Sequence, residues 1–137
     1  MAYQLSFDVR HQYDTLAPGI TLDVVLGRGE LVAGCKAKID TGSQYCLFDR
    51  ELGEGVDIEI ESGIPKELHT LTGSMTAFGH EVTLQTLGIT FQTFVYFPLY
   101  YNLSRNLLGR QGWLQLVRLA IIDYDNELYL SPYDNPF

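Results

Sequence analysis

The sequence of 137 residues predicts an all-β domain, a closed or partly open barrel with one short helix near its C-terminal third. Three observations carry that prediction. Apolar residues recur with a period of two from Tyr3 to Leu130, the spacing that places one face of a strand on a core. Clusters of Gly, Pro, Asn and Asp punctuate those runs at hairpin-like intervals. A single segment, Leu107–Val117, departs from the rhythm, and in it Trp113, Leu116 and Val117 fit a helical face.

Taken in order, Tyr3, Leu5, Phe7 and Val9 alternate with polar residues and read as a half-buried strand that ends before Ala17-Pro18-Gly19. Ile20, Leu22 and Val24 form the next, and Gly27-Arg28-Gly29-Glu30 turns it into Leu31–Ile39, with Ala33, Cys35 and Ala37 on one face and Lys36 and Lys38 on the other. The apolar stretch Tyr45–Phe48 runs into Asp49-Arg50-Glu51-Leu52-Gly53, where Asp49 is placed to cap one helical turn and Gly53 to end it. Val56, Ile58 and Ile60 alternate with acids, as on a solvated edge strand. Leu68–Phe78 and His80–Leu87 read as a long hairpin, and Ile89–Phe97 as a buried strand stopped by Pro98. The helix is expected at 110–117. Leu119–Tyr124 and Glu127–Leu130 then pair across Asp125-Asn126.

The composition narrows the functional classes. No linker or low-complexity tract divides the chain, so residues 1–137 are read as one domain. The hydrophobic fraction of 46% is too high for a disordered chain. Nine basic residues against seventeen acidic ones leave a net charge of −8, and the basic residues are scattered, which argues against a nucleic-acid partner. No apolar run reaches the ~20 residues of a membrane span, and the first residues lack the basic start and apolar block of a signal peptide, so a cytoplasmic location and no membrane partner are expected. Residues 49–61 hold six acids and one base. They read as a solvated edge before they read as an acidic docking face. Cys35 and Cys46 are read as small buried hydrophobes, not a disulfide. With isolated His11, His69 and His80, they supply no four-ligand spacing, so no metal and no cofactor is expected.

The residues that carry chemistry are Ala37-Lys38-Ile39-Asp40-Thr41-Gly42-Ser43, an apolar strand end running into Asp-Thr-Gly and a small residue. This segment resembles the active-site signature of aspartic proteases. Asn106-Leu107-Leu108-Gly109-Arg110 resembles the block that, in the retropepsin (retroviral-type) branch, opens the only helix and packs beside the catalytic loop. Its offset of about seventy residues from Asp40 is similar too. Leu71-Thr72-Gly73-Ser74 lies where that family carries its flap. The resemblance spans about residues 20–131 and implies an acid-protease barrel whose function is that of an aspartic endopeptidase.

Only one Asp-Thr-Gly is present, and Glu61-Ser62-Gly63 is a near-miss that reads as a turn. The resemblance therefore implies a homodimer, in which two Asp40 carboxylates, one per chain, activate a water against a peptide or protein substrate. Asp40, Thr41 and Gly42 are the catalytic set. Gly42 offers its amide to the carboxylate, and Thr41 turns toward the partner loop. Ser43, Thr72, Gly73 and Ser74 are assigned to substrate binding, with Ser43 placed to donate to the carboxylate. Gly109 and Arg110 give structural support. Where the family usually has an acid two residues after the glycine, this chain has Gln44, so Arg110 is expected to pair with Asp49 or Asp123 instead. The contrasting reading keeps the fold without the catalysis: a dimerisation or peptide-binding module holding an extended strand.

Overall fold

Most of the alternating segments become paired strands in the computed structural model, which describes residues 1–70 and 72–134. In chain order these are β1 (Val9–Gln12), β2 (Thr21–Arg28), β3 (Leu31–Ile39), β4 (Ile64–Thr70), β5 (Gly73–Thr86), β6 (Ile89–Pro98), β7 (Asn106–Leu108), β8 (Val117–Ile122) and β9 (Glu127–Pro132), with one α-helix, α1 (Arg50–Gly55). The strands form a three-stranded sheet, β1-β9-β8, and a larger one ordered β4-β5-β2-β3-β7, with β6 paired to β5. They do not close into a barrel, and the architecture is an open all-β one of the acid-protease type.

The fourteen-residue β5 holds the larger sheet together. Its first half pairs with β4, from Gly73↔Thr70 to Gly79↔Ile64, and its end pairs with β2, from Thr83↔Gly27 to Thr86↔Val24. Along the way Ala77–Thr86 pair with β6. At the changeover stands Gly79, where a Cβ would overlap the Phe94 ring. The core lies between the two sheets. Leu22, Val24 and Leu26 of β2 meet Val82, Leu84, Val95 and Phe97, while Leu128 and Leu130 close the cluster from β9. Burial of this apolar surface drives the chain together without a disulfide.

Several expectations are corrected. The α-helix is α1, not a helix at 110–117. That segment holds only a 3₁₀ turn, Leu114–Leu116, because Trp113 is drawn wholly into the core and its Nε1 donates to Thr86 Oγ1 at 3.1 Å. Asp49 precedes α1, yet its side chain caps nothing. Tyr3–Val9 is not a strand, since pairing with β9 begins only at Val9. The preceding residues lie along the small sheet: Phe7 tilts against Tyr129, and Arg118 stands over the Phe7 ring while donating to the Ser6 carbonyl. The hairpin predicted to turn near Gly79 turns between Thr70 and Gly73. Leu71 lies outside the described residues. The β8–β9 connection is a 3₁₀ turn, Asp123–Asp125, closed by Asn126 in the left-handed region at φ 56°.

The acidic stretch is not an edge strand either. Val56, Ile58 and Ile60 are all in the core, on a turn and a 3₁₀ helix, Ile60–Ser62. Buried Arg50 organises it. Its guanidinium donates to both carboxylate oxygens of Glu61 (2.9 and 3.1 Å), to Glu54 (3.1 Å) and to the Leu99 carbonyl, with Tyr101 beneath it at 4.8 Å. The Arg50 bond holds the Glu61 carboxyl below its ordinary pKa.

Candidate active site

β3 delivers Asp40. Its last residues, Ala37 and Ile39, are buried, and β7 runs parallel beside them in the register Ala37↔Asn106 to Ile39↔Leu108. The Asp40 amide continues that pairing by donating to the Leu108 carbonyl at 3.0 Å. The chain then turns at 40–43 and returns along the other side of β7, where Leu47 and Leu107 exchange two backbone bonds of 2.8 and 3.0 Å. β7 is thus threaded between the two limbs of the Asp40 loop.

Gly109 lies at the crossing. A Cβ there would overlap the Tyr45 carbonyl and come within 2.9 Å of the Ser43 carbonyl, so no other residue fits without moving backbone. The next amides complete the lock: Arg110 N–H donates to Ser43 O at 2.9 Å and Gln111 N–H to Gln44 O at 2.8 Å. Beneath them Cys46 is fully buried, and its sulfur accepts the Gly109 N–H at 3.3 Å. Burial pushes the Cys46 thiol up to about 12 and the half-buried Cys35 thiol to about 11, so neither is a thiolate nucleophile near neutrality.

The loop presents Asp40 half-exposed. Its Oδ1 accepts the Gly42 N–H at 3.0 Å, and its carbonyl accepts the Ser43 N–H at 3.2 Å, which closes the turn. A Cβ on Gly42 would stand 3.3 Å from that Oδ1, a tight approach. Thr41 is exposed. Ser43 departs from expectation: its hydroxyl donates to the Tyr45 carbonyl at 2.7 Å and ties down its own loop instead of the carboxylate. Arg110 departs too. Its backbone braces the loop while its side chain is exposed and forms no ion pair with a described residue. Asp123 instead accepts from the Tyr13 hydroxyl, and Asp49 Oδ1 is buried without a partner among the described residues.

A cleft of about 560 Å³ opens from this loop. One side is Gly42–Tyr45 with Leu47 and Leu107, and the other is the β4–β5 arm, through Lys66, Leu68, Thr70 and Met75. Thr72, Gly73 and Ser74 sit exposed at the tip of that arm, outside the cleft wall, with Thr70 Oγ1 donating to the Gly73 carbonyl at 2.9 Å. The structure thus brings Asp40, Thr41, Gly42, Ser43, Gly109 and Arg110 together, and across the cleft faces Gly42 and Ser43 with β4 residues that sequence reading passed over. The alternation of Lys66, Leu68 and Thr70 was the available signal. A second depression of about 390 Å³, between α1 and β3, includes none of these residues. Among the described residues no group of three or more His, Cys, Asp or Glu is arranged to hold a metal, and no helix is long and apolar enough to cross a membrane.

The fold is similar to that of a retroviral protease. Among solved structures it is similar to EIAV protease complexed with the inhibitor HBY-793, at a TM-score of 0.54 and 16% identity, over 71% of this chain and 86% of that one. No protein-family model and no curated protein matches the sequence.

Proposed function

We propose that the chain is an aspartic endopeptidase active as a homodimer, with Asp40 of each copy meeting across a two-fold axis. The observation that carries this reading is the Asp40 carboxylate itself. It is half-exposed at the buried end of β3, held by the Gly42 amide at 3.0 Å, unpaired with any described cation, and two residues from Gly42, where the lining of the cleft begins.

Peptide hydrolysis requires a group that takes a proton from water and another that gives one to the substrate carbonyl. One lobe carries one such carboxylate, so the second is supplied by the other copy. Two carboxyls at close range repel, and the pair retains one proton between them. The ionised member removes a proton from water as its oxygen attacks the peptide carbon, and the protonated member donates to the carbonyl oxygen. Collapse of the tetrahedral adduct breaks the C–N bond, with a proton passing to the leaving amine. Exposed Thr41 is free to bond the partner loop, and Gly109 with the Arg110 amide keeps Asp40 in place. The β4–β5 arm, with Thr72, Gly73 and Ser74 at its tip, acts as the flap that closes on substrate and excludes water.

The test is cleavage of a mixed peptide library by wild type and by Asp40→Asn, with a hydroxyl-containing mimic of the tetrahedral adduct as inhibitor. Wild type should cut, be inhibited, and lose activity faster than linearly on dilution, in step with dimer dissociation seen by sedimentation. A monomer with full activity, or an Asp40→Asn variant that cuts as well as wild type, refutes the mechanism. Peptide binding without cleavage by wild type would instead establish the non-catalytic module.

A further inference from the structure

The wall of the cleft opposite Ser43 carries a cation, and its surroundings specify what it is for. Lys66 lies midway along β4, half-buried, with its Nζ 5.0 Å from the centroid of the Tyr45 ring. That ring is braced, since Tyr45 meets Tyr96 edge-on at 5.0 Å and Tyr96 stacks on Phe94 at 5.5 Å. The ammonium is thereby held over a fixed aromatic face. The Tyr45 side chain, chiefly through its hydroxyl, also raises the Lys66 pKa, which keeps the group charged across the neutral and acidic range.

Among the described residues this cation has no acidic partner. The ion pairs among described residues use Arg10, Lys36 and Arg50, although the chain holds seventeen acids to nine bases. Its sequence neighbour Glu67 reaches the rim of the same cleft, but that carboxylate is engaged by the Thr76 hydroxyl across the strand pair. Among the described residues Lys66 is the only Lys or Arg in the cleft wall. The groups flanking it in the wall, Leu68, Leu47 and Leu107, are apolar and cannot satisfy it.

We propose that Lys66 is a specificity-determining residue, and that the cleft selects peptides carrying a glutamate or aspartate side chain opposite Lys66, within a few residues of the bond placed at Asp40. This rests on the cleft being the peptide site proposed above. The Tyr45 ring supports the aliphatic part of the substrate side chain while the ammonium takes its carboxylate, a charge-assisted pair that a neutral side chain does not form.

The experiment compares peptide series differing only in Glu, Gln or Lys at each position around the scissile bond, with wild type, Lys66→Met and Lys66→Glu. Folding of each variant is checked by its urea midpoint. Wild type should favour Glu over Gln at one position by about tenfold in kcat/KM, a preference that shrinks as salt is raised. Lys66→Met should remove the preference and Lys66→Glu should reverse it toward Lys. Fluorescence anisotropy with the same peptides, labelled and using Asp40→Asn protein, reads binding without cleavage. Cleavage with no charge preference at any position overturns the Lys66 assignment and leaves the peptidase standing. Absence of cleavage with Lys66-dependent binding of the Glu peptides does the opposite. Absence of both cleavage and binding overturns both.

Discussion

Beside one cleft, Gly109 lies against the carbonyls of Ser43 and Tyr45 with no room for a methyl group, whereas no described neighbour approaches within 4 Å of the place a Cβ would take on Gly73, at the end of the facing arm. The Asp40 loop is tied down through its backbone on both sides of β7. Asp40, Leu47, Leu107, Arg110 and Gln111 all hold backbone bonds across the crossing, and Cys46 and Trp113 are buried beneath it. Among the described residues the side-chain bonds at the tip of the β4–β5 arm are local, from Thr70 to Gly73 and Thr72. A reacting carboxylate must be held within a fraction of an ångström, which needs many simultaneous constraints. A wall that accepts different side chains must be able to yield, which needs few. The same glycine residue type thus serves opposite ends: close approach in one region, an unusual backbone angle, φ 144°, in the other.

Asp40→Asn should break the comparison most completely on the activity side. Cleavage is expected to fall by about 10²–10⁴. Stability should hold or rise, because the substitution removes like-charge repulsion between the copies of the proposed dimer while the Gly42 amide keeps an acceptor. Peptide-library turnover and a urea titration of the same preparation measure both.

Gly109→Ala should be the most damaging single methyl for the fold, at about 3 kcal/mol, since the atoms it meets are backbone and cannot swing away. A urea midpoint unchanged from wild type would show that the crossing is not rigid.

The pH dependence sharpens the contrast further. Burial raises the Cys46 thiol to about 12 from an ordinary 9.0, so the folded state holds its proton more tightly than the unfolded chain. Its stabilising contribution is full below about pH 9 and is lost as pH rises toward 12. Wild type should therefore lose stability between pH 9 and 11 more steeply than Cys46→Ala, by up to about 1.4 kcal/mol per pH unit, in urea titrations at stepped pH. Parallel curves would mean that the thiol is not sealed under the loop.

The smallest effect belongs to the tip. Gly73→Ala meets open space and costs only its backbone angle, about 1 kcal/mol, with the damage confined to the arm. Hydrogen exchange should rise at Thr70–Met75 while the amides of Asp40 and Gln111 stay protected. Exchange that spreads to the loop would mean the two regions fold as one unit.

The sequence by itself determined the all-β class, the β2–β3 hairpin, the buried β6 and the short block Asp40-Thr41-Gly42 at a strand end, because each of these depends on neighbours two to four residues away. Gly109 was legible only through the family resemblance, as structural support in a block about seventy residues from Asp40; its close packing against Ser43 and Tyr45 came from the structure. Tertiary structure decided the rest. Val56, Ile58 and Ile60 alternate as a strand would, yet the demands of buried Arg50 and the core wind them into turns, since a period of two in a short segment does not specify pairing. Trp113 unwound the expected helix because burying its ring with Nε1 on Thr86 outweighed local spacing. Lys66 was invisible as a site residue for the same reason. Its alternation was legible, but which side of β4 faces Ser43 depends on the register between β4 and β5, and register is a property of two strands, not of one.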